Sequence, residues 1–88
     1  MIVHREPRFI RAYQKLPDYI REDFDKKIII FENNPGDPRL RTHKLGGKLR
    51  ECFSFYLRDG FRVYFEFLGK SEVDLLYVGP HNGYRRWR

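Results

Sequence analysis

At 88 residues the chain is long enough for one small core and too short for two. It is 41% hydrophobic and 34% charged, and its 8 Phe, 6 Tyr and 1 Trp exclude a disordered polar chain. A formal net charge of +6 points to polyanionic partners, a single cysteine excludes an internal disulfide framework, and no apolar run approaches the roughly 20 residues of a membrane span.

One Cys with three His offers no zinc-finger spacing. The opening residues lack a signal-peptide apolar stretch, so a soluble cytoplasmic protein with one domain over 1–88 is expected. Ile2-Val3 suits a brief strand. Pro7 stands where a first helical residue belongs, and Phe9, Ile10, Tyr13 and Leu16 then recur at helical spacing. Pro17 restricts Leu16 to extended geometry, ending that helix and starting another. In the second helix Ile20, Phe24, Ile28 and Phe31 form an apolar stripe opposite Arg21, Glu22, Asp25 and Lys26. The run Asn33 to Pro38 stops it.

From Leu49 the period changes to two. Leu49, Glu51, Phe53, Phe55 and Leu57 share one face, and Arg50, Cys52, Ser54, Tyr56 and Arg58 share the other. After Asp59-Gly60, Phe61, Val63, Phe65 and Phe67 alternate with Arg62, Tyr64, Glu66 and Leu68. A last run sets Val73, Leu75 and Tyr77 against Asp74, Leu76 and Val78. A two-residue loop at Asp59-Gly60 would pair Leu57 with Arg62 and mix apolar with charged residues. A three-residue loop, Arg58-Asp59-Gly60 with Gly60 left-handed, pairs Leu57 with Phe61 and Phe55 with Val63. The same logic at Gly69-Lys70-Ser71 pairs Phe67 with Val73 and Val63 with Tyr77. The expectation is α+β in the order β-α-α-β-β-β: a short N-terminal strand, then a two-helix hairpin packed on one face of a mainly antiparallel sheet that ends in a three-stranded meander.

The uncovered face would then display Arg50, Tyr56, Arg58, Arg62, Tyr64 and Glu66, with Leu76 and Val78. Between Arg39 and Arg50 lie Arg41, His43, Lys44 and Lys48 and no acid. The tail adds His81, Tyr84, Arg85, Arg86, Trp87 and Arg88. Cations interleaved with rings on an exposed sheet suit RNA, the cations on phosphates and the rings on bases. Lys44, Lys48, Arg58, Arg85, Tyr56 and Tyr64 are the candidates. Arg62 is a charge in an otherwise apolar strand; it either has a chemical role or is satisfied by Tyr56 or Glu66. His81 and His43 can each act as general acid or base, or be ordinary loop residues. Cys52 has no accompanying base and reads as a packed thiol.

Several stretches taken in order carry a family resemblance: Tyr13-x-x-Leu16-Pro17, Asn34-Pro35, Leu40-x-x-His43-Lys44-Leu45-x-Gly47-x-Leu49, Phe61-Arg62-Val63-Tyr64-Phe65 and Val78-Gly79-x-His81-x-x-Tyr84-Arg85. The chain resembles the RelE/ParE superfamily of bacterial toxins along nearly its whole length. The resemblance implies the toxin of a type II toxin–antitoxin pair, neutralised by a cognate antitoxin. RelE- and YoeB-type members cut mRNA on the ribosome; the ParE branch instead poisons DNA gyrase, and an inactive relative would serve as a binding module. On the ribonuclease branch the resemblance implies metal-free chemistry without a cofactor, in which a 2′-hydroxyl attacks the adjacent phosphate and leaves a cyclic phosphate. Arg62 and Arg50 would stabilise the phosphate, His81 or His43 would move protons, and Tyr84 would stack on a base or orient the phosphate. Tyr77 stands where YafQ-like members carry an arginine.

Overall fold

In a computed structural model, residues 1–45 and 52–81 are described. The elements are β1 (Ile2–Arg5), α1 (Pro7–Gln14), α2 (Asp18–Asn33), β2 (His43–Lys44), β3 (Phe53–Tyr56), β4 (Phe61–Gly69) and β5 (Glu72–Pro80). Pro7 occupies the first turn of α1, and Pro17 precedes α2 in extended geometry (φ −56°, ψ 148°), as proline's missing N–H and fixed φ require.

All five strands form one mixed sheet in the order β1-β5-β4-β3-β2. β1 runs parallel to β5 and the other pairs are antiparallel, and the two helices lead the chain from β1 at one edge to β2 at the other. The α+β architecture expected from the sequence is therefore observed, with one strand more than expected. Residues 43–44 pair with Ser54 and Phe53 and extend the sheet where a loop was expected. Two residues of alternation are too short a signal to separate from basic loop sequence.

The first hairpin has the expected register. Phe55 faces Val63, Tyr56 faces Arg62, and Leu57 donates its N–H to the Phe61 carbonyl at 2.8 Å. Gly60 is left-handed (φ 77°), and Asp59 joins it at φ 54°. The second hairpin departs from expectation. Phe67 does face Val73 and Phe65 faces Leu75, but Tyr64 faces Tyr77 and Val63 faces Val78. Leu76 is the extra residue of a bulge, which reverses the faces of everything after it. Val78 is consequently buried in the core (1% exposed) rather than displayed, and Tyr77 turns to the uncovered face. The bulge puts a branched aliphatic under the helices and keeps a phenol out of the core, where its hydroxyl would need a partner.

α1, α2 and the link between them contribute Phe9, Leu16, Ile20, Phe24, Ile28 and Phe31 to that core; the strands and the first hairpin contribute Phe55, Leu57, Val63, Phe65, Val73, Leu75 and Val78. Ile10, expected on the buried stripe, is 43% exposed. Phe31 sits 5.0 Å from the Phe55 ring and 4.8 Å from the Phe65 ring, joining α2 to the sheet at its middle. Each such ring buries enough apolar surface to contribute roughly 1.5–3 kcal/mol. With one face held under the helices, the alternate residues of β3 and β4 have only the other face to occupy.

Candidate nucleic-acid interface

Tyr56 ends β3 on the uncovered face, directly across from Arg62 in the middle strand of the sheet. The Arg62 guanidinium carbon lies 4.6 Å from the Tyr56 ring centroid, and that of Arg41 lies 4.2 Å from the same centroid. The His43 ring meets Tyr56 edge-on, centroids 5.6 Å apart at 68°. Two guanidiniums and an imidazole thus converge on one phenol ring, a cation–π arrangement that orients them without neutralising them. Arg62 is half-buried, and its Nε has no hydrogen-bond partner among the described residues. No carboxylate among the described residues forms an ion pair with Arg41 or Arg62.

The loop before β2 supplies the rest of the geometry. Asp37 caps the short 3₁₀ turn Pro38–Leu40: its carboxylate accepts from the Arg39 backbone N–H at 2.9 Å and from the Arg39 guanidinium at 3.0 and 2.9 Å. Those bonds hold the Asp37 carboxyl down at about 2 and neutralise Arg39. Arg41 then ends the turn in the left-handed region, φ 53° and ψ 42°. Its carbonyl lies 3.3 Å from His43 Nδ1. A carbonyl only accepts, so Nδ1 carries the hydrogen in the neutral ring and Nε2 is left as a proton acceptor.

The sequence-predicted residues distribute unevenly around this cluster. Arg62, His43 and Tyr56 are brought together. Lys44, expected on the RNA-binding face, is exposed on the edge strand β2 but pairs with Phe53, so strand alternation turns it to the face opposite His43 and Tyr56. His81 is exposed one residue beyond Pro80, and Pro80 pairs with Phe61 while Gly79 pairs with Arg62. Register thus carries His81 to the Arg62 end of the sheet. Arg58 is displaced from the expected face: its guanidinium lies 5.8 Å from the Tyr19 ring of α2, and its backbone N–H donates to Asp23 at 2.9 Å. The hairpin tip is tied to the helix side, and Arg58 goes with it. Tyr64, expected to be displayed, is fully buried and stacks on Tyr77 with centroids 6.1 Å apart. The bulge turns Tyr77 outward and sets its ring against Tyr64. Arg50, Lys48, Tyr84 and Arg85 lie outside the described residues. Cys52 is a packed thiol, 5% exposed, with burial pushing its pKa up to about 11, which leaves it no role as a nucleophile.

Two features escaped the sequence reading. Arg41 carried no signal beyond being one basic loop residue among several. The other is a cleft of about 560 Å³ between α1 and the end of β5, with Arg8, Arg11 and Lys15 on one side and Phe61, Val78 and Pro80 among the residues on the other. The three cations follow helical spacing along α1, which an apolar-stripe reading treats merely as the solvated face.

The uncovered face also changes sign along its length. Glu66 faces Asp74 across β4 and β5, with Glu6 beside them. Burial first, then hydrogen bonding and repulsion from Glu6, push Asp74 up to about 6. The cationic end of the face is the Tyr56 end.

No protein-family model matches the chain, and no curated protein matches it in sequence. Solved structures do match its fold. It is similar to a YoeB/ParE toxin from Agrobacterium tumefaciens at 14% identity, with a TM-score of 0.76 over 92% of this chain and 99% of that one. It is similar to the RelB-RelE antitoxin–toxin complex from Methanococcus jannaschii at 13% identity, with a TM-score of 0.75 over 96% of each chain. The isolated RelE toxin of E. coli superposes with a TM-score of 0.70 at 23% identity, over 97% of this chain and 92% of that one. At such identities the likeness establishes the fold, which is the one the sequence resemblance implied.

Proposed function

We propose that this chain is the toxin of a type II toxin–antitoxin pair and that it cleaves mRNA on the ribosome by proton transfer among its own side chains. The observation that carries the reading is the convergence of Arg62 and His43 on Tyr56. His43 Nε2, left as acceptor by the Nδ1 contact, takes the 2′-hydroxyl proton. The oxygen attacks the adjacent phosphorus, the bond to the 5′-oxygen breaks, and a protonated His81 supplies the leaving group's proton. The products are a 2′,3′-cyclic phosphate and a 5′-hydroxyl end.

Negative charge accumulates on the phosphoryl oxygens in the transition state. Arg62, held in place against Tyr56, is a fixed cation and needs little reorganisation to meet it. The ribosome supplies the in-line geometry that so open a site lacks. The structural relatives include toxin bound to antitoxin, in the RelB-RelE complex, and an antitoxin protein is the corresponding partner proposed here.

The test is to express the chain, map mRNA 5′ ends and assay programmed ribosomes. Wild-type protein is expected to cut within translated codons. Arg62→Ala and His43→Ala are each expected to lose roughly 10²- to 10⁴-fold, the usual contribution of a fixed transition-state cation or a general base. Growth arrest without RNA cleavage, or full cleavage by either variant, overturns the reading.

A further inference from the structure

We propose that Arg41 and Arg62, gathered around the one Tyr56 ring, together hold one phosphodiester group of RNA. The inference rests on the ribonuclease reading and adds a binding residue to it. Arg41 and Arg62 lie 4.2 and 4.6 Å from the centroid of one ring, and neither is paired with a carboxylate among the described residues. Two like charges gathered around one ring repel each other, and a bound anion that both reach offsets that repulsion. A phosphodiester can offer a separate oxygen to each planar fork, the geometry that guanidiniums recognise best.

Three further observations single out Arg41. Its neighbour Arg39 is ion-paired with Asp37, whereas Arg41, two residues on, meets no carboxylate among the described residues. Its backbone is left-handed, where a β-carbon is disfavoured and glycine would be unstrained. A long charged side chain at a strained position beside a cluster of functional groups points to use of that side chain. Finally, its carbonyl receives the His43 Nδ1–H, so the residue that would grip the phosphate also orients the proton acceptor. An acidic peptide is the weaker candidate, because the same cluster holds the His43 and Arg62 that the ribonuclease reading places on RNA.

The experiment is binding of the full chain to a fluorescent, uncleavable 2′-O-methyl oligoribonucleotide across a range of salt concentrations, with poly-glutamate as competitor. Arg41→Gly suits the left-handed backbone, so it is expected to unfold at the wild-type temperature or above. Its affinity is expected to fall about tenfold at low salt, and the slope of log K against log salt to shrink by about 0.7, one counterion on a single strand. Arg41→Lys is expected to keep the wild-type slope. Unchanged affinity and slope in Arg41→Gly overturn the proposal, as does absence of wild-type binding at low salt or equal competition by poly-glutamate. If wild-type protein binds through Arg41 but cuts no RNA on ribosomes, the two-arginine site stands and the ribonuclease reading falls. If wild-type protein cuts and Arg41→Gly binds unaltered, the two-arginine site falls and the ribonuclease reading stands.

Discussion

A single methyl group at position 79 would meet the tip of the Tyr77 ring. A β-carbon built there lies 2.8 Å from the phenol oxygen and 2.9 and 3.0 Å from ring carbons, all inside contact distance. Tyr77 lies over Gly79, the residue paired with Arg62, and stacks on Tyr64. Gly79→Ala therefore forces the ring off its seat, and a cost of about 1–2 kcal/mol is expected in urea unfolding, as for overpacking elsewhere. In a Tyr77→Ala background the same substitution is expected to cost nearly nothing, and a cycle showing simple additivity would refute the contact as the cause. At this scale His43 stood out by residue type alone within a basic loop, whereas Arg62 and Tyr56 were legible because residue type and strand alternation fix their face. Arg41 was not, because its position depends on a left-handed turn residue with neither glycine nor asparagine to announce it. Tyr64 was misjudged because alternation gives a face but not what covers that face.

Among the elements, β5 shows where periodicity stops being informative. Its apolar residues are nearly continuous, so Val73, Leu75 and Tyr77 read as one face, and nothing local marks Leu76 as the extra residue. The bulge is chosen by tertiary packing, since Val78 fills the core better than Tyr77 would. The helices and the first hairpin, by contrast, were readable because proline placement and register each rest on a strong local constraint. The same strand carries a pH-sensitive group. Asp74 is 8% exposed and faces Glu66 on β4 and His4 on β1, with Glu6 hydrogen-bonded to it. The net effect favours its protonated form in the folded state, pushing it up to about 6 from 3.8. Its contribution is therefore fully favourable below about pH 4 and is lost as pH rises through 6, because the unfolded chain releases that proton first. Asp74→Asn is expected to flatten the stability profile between pH 4 and 6. At pH 7 it should stabilise the protein by on the order of 2 kcal/mol. Unfolding midpoints across that range check both, and a profile unchanged by the substitution would refute the assignment.

For the molecule as a whole, the net charge of +6 is less informative than where the charges stand. The described part of the uncovered face is cationic at the Tyr56 end and acidic at the Glu66–Asp74 end, while α2 carries its own exposed lysine, Lys26, on the far side of the sheet. Net charge alone would attract a polyanion equally well at any lysine, and each removal would weaken binding alike. A localised interface distinguishes them. Arg62 stands on the middle strand against Tyr56, within reach of a strand lying on that face; Lys26 is separated from it by the whole helical layer. Arg62→Ala is expected to lower the salt slope of single-stranded RNA binding by about 0.7 and to weaken affinity at every sequence tested. Lys26→Ala is expected to leave the slope unchanged. Equal losses from the two substitutions would mean that the chain holds RNA by diffuse attraction, and the sheet face would then lose its claim to be the interface.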